Sequence, residues 1–176
     1  MTSLERSLYL LETAHFFSLA SRSDYGAPWS STLNFVTAFS PLRIIWSSMQ
    51  TARHSQDIRL NPHVSGSLFR ADLQNISQVG LDGAQFTGAA REIPFEESEE
   101  TYNYFSVKNF PQEAERQQWM LPLNEFRGKG THRFYDLHIE KWWLLDIEGW
   151  LATKEDKKLD VDVSLINSAQ SNILTH

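Results

Sequence analysis

The order of strand-like and helix-like segments is the feature that most limits what this chain can fold into. Hydrophobic patterns predict a helix, three strands, a second helix, two strands, further helices and a last strand. The strands are mostly linked as hairpins, for example by the turn-forming residues 24–28 (DYGAP), whereas parallel strands need long crossover connections. We therefore expect an α+β fold built on an antiparallel barrel rather than a doubly wound parallel sheet.

Turn and capping signals place the individual elements. Thr2 and Glu5 form a capping box that opens the first helix, which extends to Thr13. Glycines at positions 80, 83 and 88 indicate bulges or close backbone contacts in the fifth strand. We predict six strands, at residues 15–21, 29–38, 42–47, 63–73, 79–93 and 133–145, and further helices at 51–60, from 96 onwards and at 111–120.

Composition and charge narrow the class of protein. A chain of 176 residues suits one domain, and we assign residues 1–150 to the barrel and 151–176 to a C-terminal tail with weak helical character. The absence of cysteine excludes disulfides and Cys-ligated metal sites. Without a signal-peptide pattern or an apolar run long enough to span a membrane, we expect a soluble cytoplasmic protein. A net charge of −6 disfavours binding to nucleic acid or acidic membranes, so a bound anion needs a local cluster of donors.

Motifs of the commonest catalytic and nucleotide-binding sites are missing. Residues 83–88 (GAQFTG) have the glycine spacing of a phosphate-binding loop, but Ala89 and Ala90 stand where a lysine and a hydroxyl residue are required. The sequence contains no Rossmann glycine motif, no His-Glu-x-x-His and no Gly-x-Ser-x-Gly elbow. We therefore predict no catalytic side chain and no metal site.

The segment 47–54 (SSMQTARH) is the candidate anion site, because it lies between an apolar strand and a helix. The first N–H groups of a helix lack internal acceptors, and the helix dipole favours negative charge there. Arg53 can add a bidentate contact, His54 a donor, and Ser48 and Thr51 hydroxyl groups. The alternative is that Ser48 or Thr51 merely caps the helix while Arg53 and His54 are solvated.

The residues around this segment resemble the pyridoxamine 5′-phosphate oxidase-like superfamily of FMN-binding split barrels. Residues 44–48 (IIWSS), the pair Arg53-His54 and residues 61–65 (NPHVS) follow its order of a strand, a basic pair opening a helix, and an Asn-Pro before the next strand. Residues 26–33 (GAPWSSTL) resemble its second strand and residues 83–90 its fifth. The resemblance covers about residues 5–147 and implies a six-stranded antiparallel split β-barrel with flanking helices.

The resemblance also implies which residues bind FMN. Its phosphate would be held by Ser48, Thr51, Arg53 and His54, where His54 replaces the lysine usual in the family. The ribityl chain and isoalloxazine ring would lie along Ser30, Ser31, Thr32, Leu33, Trp46 and Ser47, with the Gln85 amide at the polar ring edge. Family members pair two barrels, which implies a homodimer with the flavin at the interface and Trp119, Trp142 and Trp143 as candidates to flank the ring.

The implied activity is that of an FMN-dependent oxidoreductase of the flavin-reductase type. Hydride would pass through FMN from a donor such as a reduced nicotinamide to an unknown acceptor. The arginine-containing substrate motif of the vitamin-oxidising members is not found after Trp143. One alternative is a non-catalytic carrier or sensor of flavin, deazaflavin or haem, with His132, His138 or His176 as an axial ligand. The other is a barrel without a cofactor that serves as an interaction domain.

Overall fold

The computed structural model describes residues 1–75 and 77–173. Over this part of the chain, eight strands form one sheet: β1 (Phe16–Arg22), β2 (Pro28–Asn34), β3 (Val36–Ala38), β4 (Arg43–Met49), β5 (His63–Arg70), β6 (Asp82–Glu92), β7 (His132–Leu145) and β8 (Lys158–Val161). The α-helices are α1 (Ser3–Thr13), α2 (Arg53–Leu60), α3 (Ser98–Asn109), α4 (Glu113–Trp119), α5 (Ile147–Thr153) and α6 (Val163–Ile173). Short 3-10 turns at Phe95–Glu97 and Leu123–Phe126 flank α3 and α4.

The sheet curls into a split barrel because one segment of the chain pairs at both of its edges. The strand order is β2-β1-β5-β6-β7-β4-β3, and β8 pairs with β7. β2 and β3 are separated only by Phe35, yet β2 pairs with β1 and β3 pairs with β4. These pairings are antiparallel, so the α+β split barrel predicted from the sequence is confirmed.

The number of strands differs from the prediction, since the sheet has eight strands rather than six. The strand expected at residues 29–38 is divided at the buried Phe35, where the chain changes its pairing partner. β8 lies within the segment that we assigned to a C-terminal tail with weak helical character, and its four residues pair with the end of β7. Such a short strand carries too little pattern to be recognised, and it forms because β7 supplies a partner.

β8 and α6, which lie beyond position 150, pack against the barrel. Ile166 on α6 is 0% exposed and Val161 on β8 is 6% exposed. Both belong to the same buried cluster as Leu10 of α1 and Trp142 of β7. This part of the tail therefore completes the core of the barrel.

Two apolar clusters set the position of the candidate site. The larger fills the barrel and contains Trp46, which stacks on Tyr135 with ring centroids 5.6 Å apart. The smaller lies between the sheet and α3, where Ile45 of β4 packs near Phe105 and Phe134. Because successive residues of a strand point to opposite faces, β4 contributes to both clusters.

The glycines of β6 mark an irregularity in the sheet, as predicted. The register with β7 shifts between Thr87 and Gly88. A Cβ atom at Gly88 would overlap the carbonyl oxygen of His138, so the two backbones approach too closely for any side chain.

No helix in the described ranges combines the length and the apolar character needed to cross a bilayer.

Candidate ligand-binding site

The junction between strand and helix lies where the sequence predicted it. β4 ends at Met49, and α2 begins at Arg53 after the N-cap residue Ala52. Ala52 provides no side-chain cap, and the first turn of α2 contains no acidic residue. The first backbone N–H groups of α2 therefore lack acceptors within the helix, and the helix dipole adds positive potential at this end. This helix start is suited to receive an anion.

His54, the second residue of α2, bridges two strands that are not paired with each other. Its Nδ1 lies 3.0 Å from Ser31 Oγ on β2, and its Nε2 lies 2.8 Å from Ser48 Oγ on β4. Only 7% of the residue is exposed. Burial lowers the pKa of the His54 imidazole, and the Asp57 carboxylate opposes this effect only in part. At neutral pH the ring is therefore uncharged, with a hydroxyl group at each nitrogen.

Arg53 lies beside His54 at the surface. Its guanidinium carbon is 4.5 Å from the centroid of the Trp29 ring, and its Nε is 4.0 Å from Asp57 Oδ2. Asp57 is buried and accepts a hydrogen bond of 2.8 Å from Ser21 Oγ. These contacts hold the guanidinium near the start of α2, while 39% of the side chain stays exposed to solvent.

A cavity of about 380 Å³ lies between β4 and the α3–α4 segment. Its polar lining includes Asn34, Ser47 and Ser48. Its apolar lining includes Phe105, Trp119 and Phe126. The volume and the mixed lining are typical of a small-molecule site.

His132 also lines this cavity and is half-buried. Its Nδ1 lies 2.9 Å from Thr131 Oγ1, and its ring centroid is 6.0 Å from that of Phe126. His138, the second histidine considered as a haem ligand, is 40% exposed, and its Nε2 is 3.6 Å from Asp136 Oδ2. The third, His176, lies outside the described residues.

A second, more apolar cavity of about 340 Å³ lies at the other end of β7. Leu145, Ile147 and Trp150 line it, and none of the predicted site residues does. Its lining offers few polar groups to orient a ligand, so the cavity beside β4 is the better candidate site.

The structure divides the predicted site residues into three groups. Those near the junction of β4 and α2 are Ser31, Ser47, Ser48, Thr51, Arg53 and His54, of which only Ser47 and Ser48 line the cavity. Trp46, at 0% exposure, and Leu33 pack in or against the barrel core. Ser30, Thr32 and Gln85 are exposed. The division of residues 30–33 follows from the alternation of side chains along β2.

Gln85 lies far along the sheet from Ser48. On β7, Gln85 is opposite Trp143, whereas Ser48 is opposite Arg133. Ten residues of one strand separate these positions, which at about 3.3 Å per residue is on the order of 30 Å. Across the strands, Gln85 belongs to a row of paired polar residues, one each from β2, β1, β5 and β6. We call this row the polar row, and its members are Thr32, Ser18, Ser67 and Gln85.

Sequence reasoning missed several residues of the candidate site. Asn34 lies within the predicted second strand, residues 29–38, and carried no distinctive pattern. Phe105 and Phe126 come from the helical segment that begins with the acidic run at 96–100, which we interpreted as a solvated face. The aromatic residues that follow the acidic run were the signal that could have indicated this part of the site. Of the tryptophans considered for the flavin ring, Trp119 lines the cavity, Trp142 is fully buried and Trp143 is half-buried.

These features define a split-barrel protein with a ligand-sized cavity beside an uncapped helix start. The family model described as "Pyridoxamine 5'-phosphate oxidase" matches residues 5–146. The chain therefore belongs to the pyridoxamine 5′-phosphate oxidase family. No curated protein matches the sequence.

Several solved structures share the fold at low sequence identity. A haem-binding protein from Mycobacterium smegmatis has a TM-score of 0.68 at 10% identity, over 96% of this chain and 61% of its own length. An FAD-binding protein from Mesorhizobium loti has a TM-score of 0.59 at 18% identity, over 81% and 92%. A haem storage protein from Vibrio cholerae has a TM-score of 0.55 at 16% identity, over 79% and 92%. This chain thus spans less than two thirds of the mycobacterial protein, and at such identities the likeness shows the fold alone.

Proposed function

We propose that this chain binds FMN and acts as an FMN-dependent oxidoreductase of the flavin-reductase type. The single observation that carries the assignment is the position of Ser48. Its hydroxyl contacts His54 at the uncapped start of α2, and the same residue lines the cavity. An anionic group and an adjoining aromatic group of one ligand therefore find complementary surroundings next to each other.

The residues present fit FMN in charge and in shape. The N–H groups at the start of α2, the hydroxyl groups of Ser48 and Thr51 and the guanidinium of Arg53 would hold the phosphate. Phe105, Trp119 and Phe126 would offer apolar contacts to the isoalloxazine ring. Bound FMN would supply hydride transfer, for which a reduced nicotinamide is the proposed donor. The chain's own part is to bind and orient the flavin, and no side chain is assigned as an acid or base.

We include a homodimer in this assignment. Phe16 and Phe69 are each 58% exposed, and strand alternation places them on the same face of the sheet as the polar row. A face that combines exposed phenyl rings with small side chains suits close contact with a second copy. Gln85 is too far from Ser48 within one chain to join its cluster, whereas a partner chain could bring Gln85 to the other chain's flavin.

The test is a flavin titration of the purified protein. FMN and riboflavin are added to flavin-free protein, and quenching of flavin fluorescence gives the two affinities. We expect FMN to bind more tightly than riboflavin because only FMN carries the phosphate. Bleaching of the flavin absorbance by a reduced nicotinamide would support the oxidoreductase assignment, and its absence would favour a carrier or sensor. Failure to bind FMN would overturn the assignment.

Haem binding is the second candidate function, and His132 is the observation that favours it. The Thr131 hydroxyl occupies Nδ1 of this histidine, so Nε2 is the nitrogen left to coordinate iron inside the cavity. Two of the similar structures are proteins named for binding or storing haem. The apolar lining from Phe105, Trp119 and Phe126 would suit a porphyrin as well as a flavin.

Substitution of His132 separates the two ligands. If haem is the ligand, His132→Ala should abolish the Soret shift seen when haemin is titrated into the protein. The matched control is His138→Ala, which removes an exposed histidine outside the cavity and should leave the shift unchanged. An unaltered Soret shift in His132→Ala would eliminate this residue as the axial ligand.

A further inference from the structure

The first turn of α2 rests on one side of β2. Trp29 and Ser31 are alternate residues of this strand, so their side chains point to the same side. Ser31 contacts the imidazole of His54 at 3.0 Å, and the ring of Trp29 lies 4.5 Å from the guanidinium carbon of Arg53. Each of these two residues of β2 therefore holds one of the first two residues of α2.

Trp29 supports Arg53 in a way that a carboxylate could not. The face of an aromatic ring attracts a guanidinium through the ring quadrupole, and tryptophan gives the strongest contact of this kind. The ring is neutral and accepts no conventional hydrogen bond from the N–H groups at the edge of the guanidinium. Contact with Trp29 thus orients Arg53 while leaving its charge and its donors available to another group.

The donors of Arg53 are in fact largely free. Its Nε lies 4.0 Å from Asp57 Oδ2, and within the described ranges neither of its Nη groups has a hydrogen bond or an ion pair. Arg59, near the other end of α2, is different because it donates to Glu92 and to the carbonyl group of Gln50. Arg53 is therefore oriented without being committed to a partner, and it lies at the uncapped end of the helix.

We propose that Trp29 is a positioning residue, which holds the Arg53 guanidinium ready for a phosphate bound at the start of α2. Because the phosphate is taken to be that of FMN, this role rests on the function proposed above. A guanidinium binds a phosphate through a planar pair of N–H groups, so its orientation matters more than that of a point charge. Fixing that orientation before binding removes part of the entropy cost of binding. Trp29 itself needs no contact with the ligand.

Two other roles of Trp29 would have different consequences. If the contact only attaches α2 to β2, its loss would lower the free energy of unfolding and affect all flavins alike. If the exposed ring of Trp29 stacks on the flavin, its loss would weaken FMN and riboflavin equally. A positioning role weakens FMN alone, since riboflavin lacks the phosphate, and does so only while Arg53 is present.

The experiment is a double-mutant cycle with Trp29→Ala, Arg53→Ala and the combined variant, in which fluorescence titration gives the FMN and riboflavin affinities. We expect Trp29→Ala to lower FMN affinity about two- to fivefold, the range that corresponds to an exposed cation–π contact. Riboflavin affinity should stay the same. In the Arg53→Ala background, Trp29→Ala should cause no further loss. Trp29→Tyr, which keeps an aromatic ring, should recover most of the FMN affinity that Trp29→Ala loses.

The chain contains a closely matched control pair. Lys154 Nζ lies 4.5 Å from the centroid of the Trp150 ring, and Trp150 is 46% exposed compared with 42% for Trp29. Trp150→Ala therefore removes an equally exposed tryptophan and a contact of the same kind, but away from α2. It should leave the ratio of FMN to riboflavin affinity unchanged. If Trp29→Ala does not fold, Trp29→Leu replaces it, because leucine keeps apolar bulk without a ring and should show the same selective loss.

The possible results separate this role from the proposed function. An unchanged FMN affinity, an equal loss for FMN and riboflavin, or the same loss with and without Arg53 would each overturn the role of Trp29. All three results leave FMN binding itself in place. Failure of the native chain to bind FMN would overturn both the role of Trp29 and the proposed function.

Discussion

Arg53 shows how a single side chain can be both ordered and available. Trp29 supports one face of the guanidinium at 4.5 Å, and Asp57 fixes its Nε side at 4.0 Å. A guanidinium held in this way loses less conformational entropy on binding a phosphate than a free one would. Asp57 contacts only the Nε side, at 4.0 Å, and 39% of the Arg53 side chain stays exposed, so the rest of the guanidinium can contribute to binding an anion.

Replacement of Arg53 by alanine should therefore weaken FMN binding by about 1.5–3 kcal/mol, the range for a hydrogen bond to a charged group. The measurement is a fluorescence titration with FMN, with riboflavin as a ligand that lacks the phosphate. The matched control is Arg59→Ala, which removes the same charge from the other end of α2, where the side chain is bound to Glu92. Equal losses in the two variants would mean that only overall charge matters and that Arg53 does not touch the phosphate.

Sequence reasoning located the residues of the junction but not the roles of all of them. The strand, the basic pair and the following Asn-Pro were recognisable because they are adjacent in the chain. The Ser31–His54 contact joins β2 to α2 across 23 positions, and no local pattern predicts it. The interpretation of residues 30–33 as one contact surface also neglected strand alternation, which turns Ser31 toward His54 and leaves Ser30 and Thr32 exposed.

At the level of the elements, β7 organises the sheet, because it pairs with β4, β6 and β8. An ion-pair network joins β4, β6 and β7 to one another. Asp136 on β7 is 0% exposed, and it accepts hydrogen bonds from Arg43 on β4 at 3.0 Å and from Arg91 on β6 at 3.0 and 3.1 Å. Loss of the carboxylate would leave two guanidinium groups close together without their shared anion.

Asp136→Ala should accordingly lower the free energy of unfolding by about 3 kcal/mol, at the lower end of the range for a broken buried pair because both arginines are partly exposed. Urea denaturation followed by circular dichroism measures the change. Asp156→Ala removes an exposed carboxylate paired with Lys158 and should cost less than about 1 kcal/mol. A similar cost for both variants would show that the Asp136 network does not stabilise the sheet.

The elements that were predicted and those that were missed differ in the source of their stability. α1 carries its own capping box, with Thr2 and Glu5 bonded to each other's backbone, and its start was predicted correctly. β8 has only four residues and exists because the edge of β7 is open to pair with it. α5 begins after its N-cap Asp146, and it spans the boundary between the residues that we assigned to the barrel and to the tail. Elements stabilised mainly by tertiary contacts leave little trace in a local pattern.

For the molecule as a whole, the outer face that carries the polar row is the surface on which the proposed dimer and the proposed flavin site would meet. Its side chains are small, and Phe16 and Phe69 stand exposed beside them. The net charge of −6 disfavours association through charge alone, so an interface on this face must rely on shape and apolar contact. If two copies meet there, the Gln85 amide of each could approach the flavin of the other, which one chain cannot arrange.

A bulky charged side chain in the centre of this face should therefore disrupt both dimer formation and FMN binding. Ser18 pairs across the sheet with Thr32 and Ser67, so Ser18→Arg would place a guanidinium without a partner inside the proposed interface. Light scattering after size exclusion should give a mass of twice 20.3 kDa for the native chain and 20.3 kDa for the variant, with weaker FMN binding. Ser168→Arg adds the same charge on the exposed side of α6 and should remain a dimer that binds FMN as before. A monomeric native chain would place the flavin contacts within a single subunit, and a dimeric Ser18→Arg variant would show that this face is not the interface. Either result would remove Gln85 from the proposed site.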